Sequence, residues 1–82
     1  MRLLWFAWLR EKTGAAREEV ETEAPTLAAL VADLRARDPR WAEALADLTA
    51  IRAALDEELA QDWNAPLAGV REVAFFPPVT GG

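Results

Sequence analysis

The ending of this 82-residue sequence combines two prolines with two glycines, a pattern suited to chemistry at a carboxylate. The last six residues are Pro77, Pro78, Val79, Thr80, Gly81 and Gly82. Proline fixes φ and resists collapse onto the domain, whereas glycine lacks Cβ, so other groups can approach the Gly82 carboxylate closely. Six extended residues reach about 20 Å. The ending is therefore predicted to be an arm, residues 77–82, that carries the carboxylate of Gly82 into another protein's active site.

The side chains used in most conventional catalysis are missing from the composition. The sequence contains no Cys and no His, which excludes disulfides, thiolate nucleophiles, imidazole bases and nearly all zinc or iron sites. We therefore predict no metal site and no intrinsic catalytic residue, and any sulfur that the chain carries must be bonded at its C-terminal carbonyl. The acidic cluster is interpreted as a solvated sheet edge rather than a catalytic group; its members are Glu18, Glu19, Glu21 and Glu23.

The net charge of −5 indicates which partners suit the chain. Nucleic acids and anionic membranes attract clusters of Lys and Arg, so we expect no nucleic acid and no membrane as partner, and a basic protein partner suits the chain better. No apolar run reaches the ~20 residues that span a bilayer, and the start of the chain lacks a signal-peptide pattern. These features predict a cytoplasmic protein that binds other proteins.

Two strands are predicted at the start of the chain. Residues 2–9 are apolar on both alternating faces, as in a central strand, and the charged residues 17–22 suit an exposed edge strand. Residues 12–14 are expected to form the turn between them, which makes the pair an N-terminal hairpin.

One main helix is predicted next, because apolar residues recur at i, i+3, i+4 and i+7. This stripe consists of Leu27, Leu30, Val31 and Leu34. Thr26 is placed as the N-cap, and Asp38 before Pro39 ends the helix because the residue before proline avoids the α region. A short helical turn is expected around residues 41–45.

Strands are predicted again in the second half of the chain. Residues 51–55 form one strand, Asp56-Glu57 its turn, and Leu59 begins a short return segment. Residues 72–76 form the last strand, which runs into the arm.

The order ββαββ, with one main helix crossing a mixed sheet, is the β-grasp arrangement of ubiquitin-like domains. We therefore predict an α+β fold with a β-grasp domain over residues 1–76, followed by the arm.

Strand alternation also predicts a face for a protein partner. Phe6 and Phe76 are expected to point outward and, with Leu59, to form an apolar partner-binding surface beside the root of the arm. Arg10, at the end of the first strand, could pair with a partner carboxylate. The inward set is expected to be Leu3, Trp5, Ala7, Leu9, Val73 and Phe75, and the other outward residues Leu4, Trp8 and Ala74. The alternative is that Trp41 or Trp63 folds over the patch and makes it core.

The eleven residues 72–82, EVAFFPPVTGG, resemble the C-terminal signature of the small, sulfur-carrying subunit of molybdopterin synthase, a ubiquitin-like family of the MoaD type. Residues 6–11, 25–27, 53–56 and 66–67 resemble further segments of that family in the same order.

The resemblance implies a sequence of reactions at Gly82. An ATP-dependent adenylyltransferase of the ubiquitin-activating type would adenylate Gly82, and sulfur from a persulfide donor would replace AMP to give a thiocarboxylate. The arm would then enter the large subunit of molybdopterin synthase, in a heterotetramer, and donate sulfur to the cyclic pyranopterin precursor. The small subunit itself binds no cofactor in this scheme, since ATP is consumed by the activating enzyme.

Three other functions share parts of this pattern. One is a sulfur carrier for another pathway, such as thiamine or tungsten cofactor synthesis. Another is a ubiquitin-like modifier that attaches Gly82 to lysines of other proteins. The third is a β-grasp interaction module with an inert arm.

Overall fold

A computed structural model describes residues 1–78, and the predictions for Val79, Thr80, Gly81 and Gly82 lie outside the described residues. The strands are β1 (Arg2–Trp5), β2 (Arg17–Glu19), β3 (Arg52–Leu55), β4 (Glu58–Leu59) and β5 (Glu72–Phe76). The helices are α1 (Trp8–Thr13), α2 (Leu27–Arg37) and α3 (Pro39–Ala44), followed by a 3₁₀ turn at Leu48–Ala50.

The five strands form one mixed sheet in the order β2-β1-β5-β3-β4. The central strands β1 and β5 are parallel, and every other neighbouring pair is antiparallel. Parallel strands need a long crossover between them, and here the chain from β2 to β4 supplies it, with α2 as its longest helix. This topology is the predicted α+β, β-grasp arrangement.

The predicted first strand is too long, because the chain leaves the sheet after Trp5 and begins α1 at Trp8. Ala7 has φ 54° and ψ −133°, a left-handed conformation that reverses the chain, and the N–H of Leu9 donates to the carbonyl of Phe6 at 3.1 Å. A short run that is apolar on all sides fits a strand and a helix equally well. The turn predicted at residues 12–14 is instead the end of α1, which closes at Gly14 with φ 77°.

The antiparallel pairing of the first two strands is correct, although a helix connects them in place of a tight turn. The second strand is shorter than predicted and ends at Glu19. Its edge position agrees with the expectation from its charges.

The predicted main helix is confirmed as α2. Thr26 caps it, with its hydroxyl oxygen accepting the N–H of Ala29 at 3.2 Å, and the predicted apolar stripe is buried. The helix ends at Arg37, and Asp38 then caps α3 by accepting the N–H of Arg40 at 2.8 Å, with Pro39 in the first turn where no N–H is needed.

The hydrophobic core lies between the sheet and the helices. At its centre Trp5 and Phe75 stack with ring centroids 4.9 Å apart, and both are almost completely buried. The predicted turn after β3 is confirmed: Asp56 and Glu57 both have positive φ, 48° and 73°. The Asp56 carboxylate accepts the N–H of Glu72 at 2.9 Å, which ties this turn to the start of β5.

Candidate partner-binding face

The register of the sheet assigns each strand residue to one of two faces. Leu3 and Val73 are paired across β1 and β5 and have no exposed surface. Because successive side chains alternate, their neighbours Leu4 and Ala74 point to the opposite side, which we call the outer face. Residues paired directly across strands share a face, so a row of the outer face runs from one edge of the sheet to the other as Arg17, Leu4, Ala74, Ala54 and Leu59.

The outer face carries the exposed apolar side chains of the molecule. Leu59 is 58% exposed and Phe6 is 49% exposed, and they are the exposed large apolar residues among residues 1–78. Phe76, at the end of β5, is partly buried. The outward orientation predicted for these three residues is therefore present, while their role in binding stays a prediction.

The root of the arm adjoins this apolar surface. The N–H of Phe6 donates to the carbonyl of Phe75 at 3.1 Å, which holds the backbone of Phe6 beside the end of β5. Pro77 and Pro78 follow Phe76 directly and are partly buried. A partner that covers Phe6 and Phe76 would thus lie where the arm begins.

Three residues of the predicted surface pattern lie elsewhere, because α1 interrupts the strand alternation. Ala7 was expected to point inward and is exposed, whereas Trp8 was expected to point outward and packs partly buried against the core. Arg10 lies on α1 rather than at the end of a strand, and its side chain is exposed and forms no ion pair among residues 1–78. It remains available to a partner.

The alternative in which a tryptophan covers the apolar patch is not what the structure shows. Trp41 is buried on the helical side, where its indole N–H donates to Glu18 Oε1 at 3.1 Å. Glu18 is paired with Leu3 and so lies on the inner face. Trp63 packs against the core and lines a cavity with Leu27 and Ile51, which are both buried.

The charged side chains near the helices serve structural roles. A hydrogen bond from the Arg40 guanidinium lowers the pKa of the Asp38 carboxyl, and the backbone N–H of Arg40 acts in the same direction. Glu18 accepts from Trp41 and pairs with Arg40 at 3.4 Å, so one member of the acidic cluster predicted to be a solvated edge is in fact part of the packing. Within residues 1–78, no group of three or more acidic side chains is placed to hold a metal ion.

Sequence reasoning did not single out Arg17 and Arg52, which both lie on the outer face. Arg17 is paired with Leu4, and Arg52 is paired with Phe76. The signal was available for Arg52, because strand alternation places it on the same side as Ala54. For Arg17 the sequence contains no such signal. Its face depends on how β2 is aligned with β1, and this register follows from the length of α1 between the two strands.

A β-grasp sheet followed by a Gly-Gly ending is characteristic of the ubiquitin-like class of proteins. The model of the ThiS family matches residues 3–82, and the chain belongs to this family. None of the helices described in residues 1–78 has the length and apolar character needed to cross a membrane.

Two curated relatives match the chain over its full length. The molybdopterin synthase sulfur carrier subunit of Escherichia coli is 43% identical over 82 residues, which are 100% of this chain and 99% of the relative. The protein of the same name from Haemophilus influenzae is 34% identical over the same shares.

Two solved structures share the fold. SAMP1 from Haloferax volcanii is similar with a TM-score of 0.76 and 25% identity, covering 100% of this chain and 98% of that one. A putative molybdopterin converting factor, subunit 1, from Pyrococcus furiosus has a TM-score of 0.69 and 22% identity, with 95% of each chain covered.

Proposed function

We propose that this chain is the sulfur carrier subunit of a molybdopterin synthase, and that Gly82 carries the sulfur as a thiocarboxylate. The observation that supports this most strongly is the 43% identity, over the full chain, to a relative named as that subunit. The exposed apolar surface at the root of the arm supports it from the structure, because a carrier must bind a partner where its reactive end begins.

Activation of Gly82 is needed because a terminal carboxylate, with an ordinary pKa of about 3.3–3.7, is ionised at neutral pH and is a poor acyl donor. An ATP-dependent adenylyltransferase would form the acyl-adenylate and release pyrophosphate. The terminal sulfur of a persulfide donor would then displace AMP and form an acyl disulfide. A second thiol would break the S–S bond of that acyl disulfide, which releases the thiocarboxylate and leaves a disulfide between the donor and the thiol. Since this reaction consumes ATP, we place the carrier in the cytoplasm.

The chain acts here as a carrier rather than as a catalyst. It has no Cys and no His, so the large subunit would supply the catalytic side chains and the pocket for the pyranopterin. A dithiolene contains two sulfurs, and two loaded carriers are therefore consumed for each pterin.

Docking on the large subunit would use the outer face. Phe6, Leu59 and Phe76 would supply the apolar contacts, and Arg10 on α1 would pair with a carboxylate of the partner. Apolar side chains that become fully covered in an interface are typical anchors of binding.

The ubiquitin-like modifier is the second candidate, favoured by the full-length structural similarity to SAMP1. In that case Gly82 would end in an isopeptide bond to a lysine of another protein. Both functions begin with the adenylate of Gly82 and differ in the acceptor.

Mass spectrometry of the intact protein from its native cell tests the proposal. We expect a fraction in which one terminal oxygen is replaced by sulfur, and the terminal peptide should locate the exchange at Gly82. Conjugates to other proteins without any thiocarboxylate would favour the modifier.

The matched variants are Gly82→Ala and deletion of Gly81-Gly82. A methyl group at residue 82 should obstruct activation and entry into the partner, so Gly82→Ala should abolish sulfur transfer in a reconstituted synthase while the far-ultraviolet spectrum stays unchanged. Full activity of the deletion variant, in sulfur transfer or in conjugation, would contradict both candidates, because both require the carboxylate of Gly82.

A further inference from the structure

The basic residues of the chain fall into two groups. Of nine in total, four form ion pairs with carboxylates: Arg2, Lys12, Arg37 and Arg40. The other five form none among residues 1–78: Arg10, Arg17, Arg35, Arg52 and Arg71. An arginine that forms no ion pair within the described residues has a guanidinium charge that a partner carboxylate can still pair with.

Two of these five arginines lie on the outer face: Arg17 on the edge strand β2, and Arg52 on β3, two strands further from that edge than β1. Arg17 is exposed at the β2 edge, next to Leu4. Arg52 is exposed on β3, next to Phe76 at the root of the arm. Within residues 1–78, its guanidinium donates to the carbonyl of Ile51 at 3.1 Å. Asp62 lines the same cavity as Arg52 without forming an ion pair with it.

The two acidic strand residues of the outer face share one arginine. Glu19 and Glu72 lie on either side of Arg2 and pair with it at 3.3 and 3.5 Å. With Arg17 and Arg52 added to Arg2, the strand residues of the outer face carry three positive and two negative charges, a small positive surplus, while the chain as a whole has a net charge of −5.

We propose that the partner surface for the outer face is apolar at its centre and carries two carboxylates, one opposite Arg17 and one opposite Arg52. This inference rests on the proposed function, in which the partner is the large subunit of molybdopterin synthase. Three strand spacings and two residues along the strands separate the two arginines, which is about 15 Å, and the partner carboxylates should have a similar separation.

The physical reason is the cost of covering a charge. A guanidinium that loses water in an interface destabilises the complex unless an anion replaces that water, and arginine pairs well with carboxylates because its planar fork donates two parallel hydrogen bonds. The net charge of the whole chain indicated a basic partner. The local charge of the outer face indicates an acidic partner surface. The local charge decides, because the residues of this face contact the partner.

Charge reversal tests this inference in the full-length chain, with the cognate large subunit as the probe. Arg17→Glu, Arg52→Glu and the double variant are titrated against it at low and high salt. Arg35→Glu is the matched control, because Arg35 also lacks an ion pair among residues 1–78, but lies on α2 and donates to the carbonyl of Ala46. All four variants are first checked by thermal unfolding.

We expect each reversal on the outer face to weaken binding about tenfold, and the double variant to weaken it further, with the differences shrinking as salt screens them. Arg35→Glu should bind like the wild type. Arg52→Lys keeps the charge but loses the planar fork, so it should weaken binding less than Arg52→Glu does.

Two results would overturn the inference: equal affinities for Arg52→Glu and Arg35→Glu, or tighter binding by the outer-face reversals. If the wild type itself fails to bind the large subunit, the proposed function has failed and this inference falls with it.

Discussion

The two faces of the sheet are built from the same strands and differ in almost every property. On the inner face, Leu3, Val73 and Phe75 have no exposed surface, and Phe75 stacks on Trp5. On the outer face, Leu59 remains 58% exposed. The inner face is the one that stabilises the folded domain, and the exposed apolar residues of the outer face support the proposed partner surface.

Phe75 and Phe76 show the difference most clearly, because they are the same residue type at adjacent positions of β5. Phe75 is completely buried and Phe76 is partly exposed. Substitutions at these two adjacent residues can therefore test stability and the proposed binding separately.

The largest expected effect is on stability, at Phe75. Phe75→Ala removes a buried ring and leaves a cavity beside Trp5, which should lower the free energy of unfolding by about 3–5 kcal/mol. Chemical denaturation measures this. Phe76→Ala should lower it by less than about 1 kcal/mol, and similar losses in the two variants would mean that the faces are not distinct.

The next effect is on binding, at Phe76. Truncating an anchor that the large subunit covers should weaken the complex by about 2 kcal/mol. Calorimetric titration of Phe76→Ala against the large subunit measures the change, with Ala36→Gly on the exposed surface of α2 as a control variant away from the sheet. Unchanged affinity of Phe76→Ala would count against the outer face as the docking surface.

A smaller effect is expected at Ala7, which ends the alternation of β1 and leaves Phe6 on the outer face. Its φ of 54° with ψ −133° lies in a region that glycine tolerates and alanine occupies at a cost of about 1–3 kcal/mol. Ala7→Gly should therefore raise the free energy of unfolding by about 1 kcal/mol. The control substitution, Ala36→Gly in an ordinary helix, should lower it by about the same amount. A loss of stability in both variants would show that Ala7 is not strained.

The smallest effect concerns pH, on the helical side of the molecule. The hydrogen bond from Arg40 lowers the pKa of the Asp38 carboxyl in the folded state, so the charged form contributes stability above the unfolded value of about 3.9. This contribution is lost as the pH falls through the folded pKa.

Asp38→Asn keeps a cap for α3 and removes the charge. It should be slightly less stable than the wild type at neutral pH, and the difference should vanish in acid. Denaturation curves between pH 7 and pH 2 provide the measurement, and a difference that persists at the lowest pH would assign the effect to packing instead.

Much of the fold followed from local patterns in the sequence. The stripe of α2, the cap at Thr26, the end before Pro39, the turn at Asp56-Glu57 and the bounds of β5 were all correct. Each depends on residues close in sequence: helical spacing, a side chain that bonds a nearby N–H, or a proline that the α conformation excludes. The exposure of Phe6 was correct for the same reason, since alternation is a local property.

The errors arose where the sequence permits two structures. Residues 6–9 are apolar in a pattern that suits a strand or a helix, and the conformation of Ala7 decides between them. Trp8 and Arg10 were therefore predicted on the first strand but lie on α1. The role of Glu18 was also hidden, because its contact with Trp41 joins residues 23 positions apart.

By itself the sequence determined which chemistry to expect: without Cys or His, and with Gly81-Gly82 shortly after two prolines, it predicts that the reactive group is the carboxylate of Gly82. Only the tertiary structure decided which charges accompany the apolar surface. Arg17 and Arg52 come from strands 35 positions apart in the sequence, and it is the strand order β2-β1-β5-β3, set by packing of the whole core, that places both on one face.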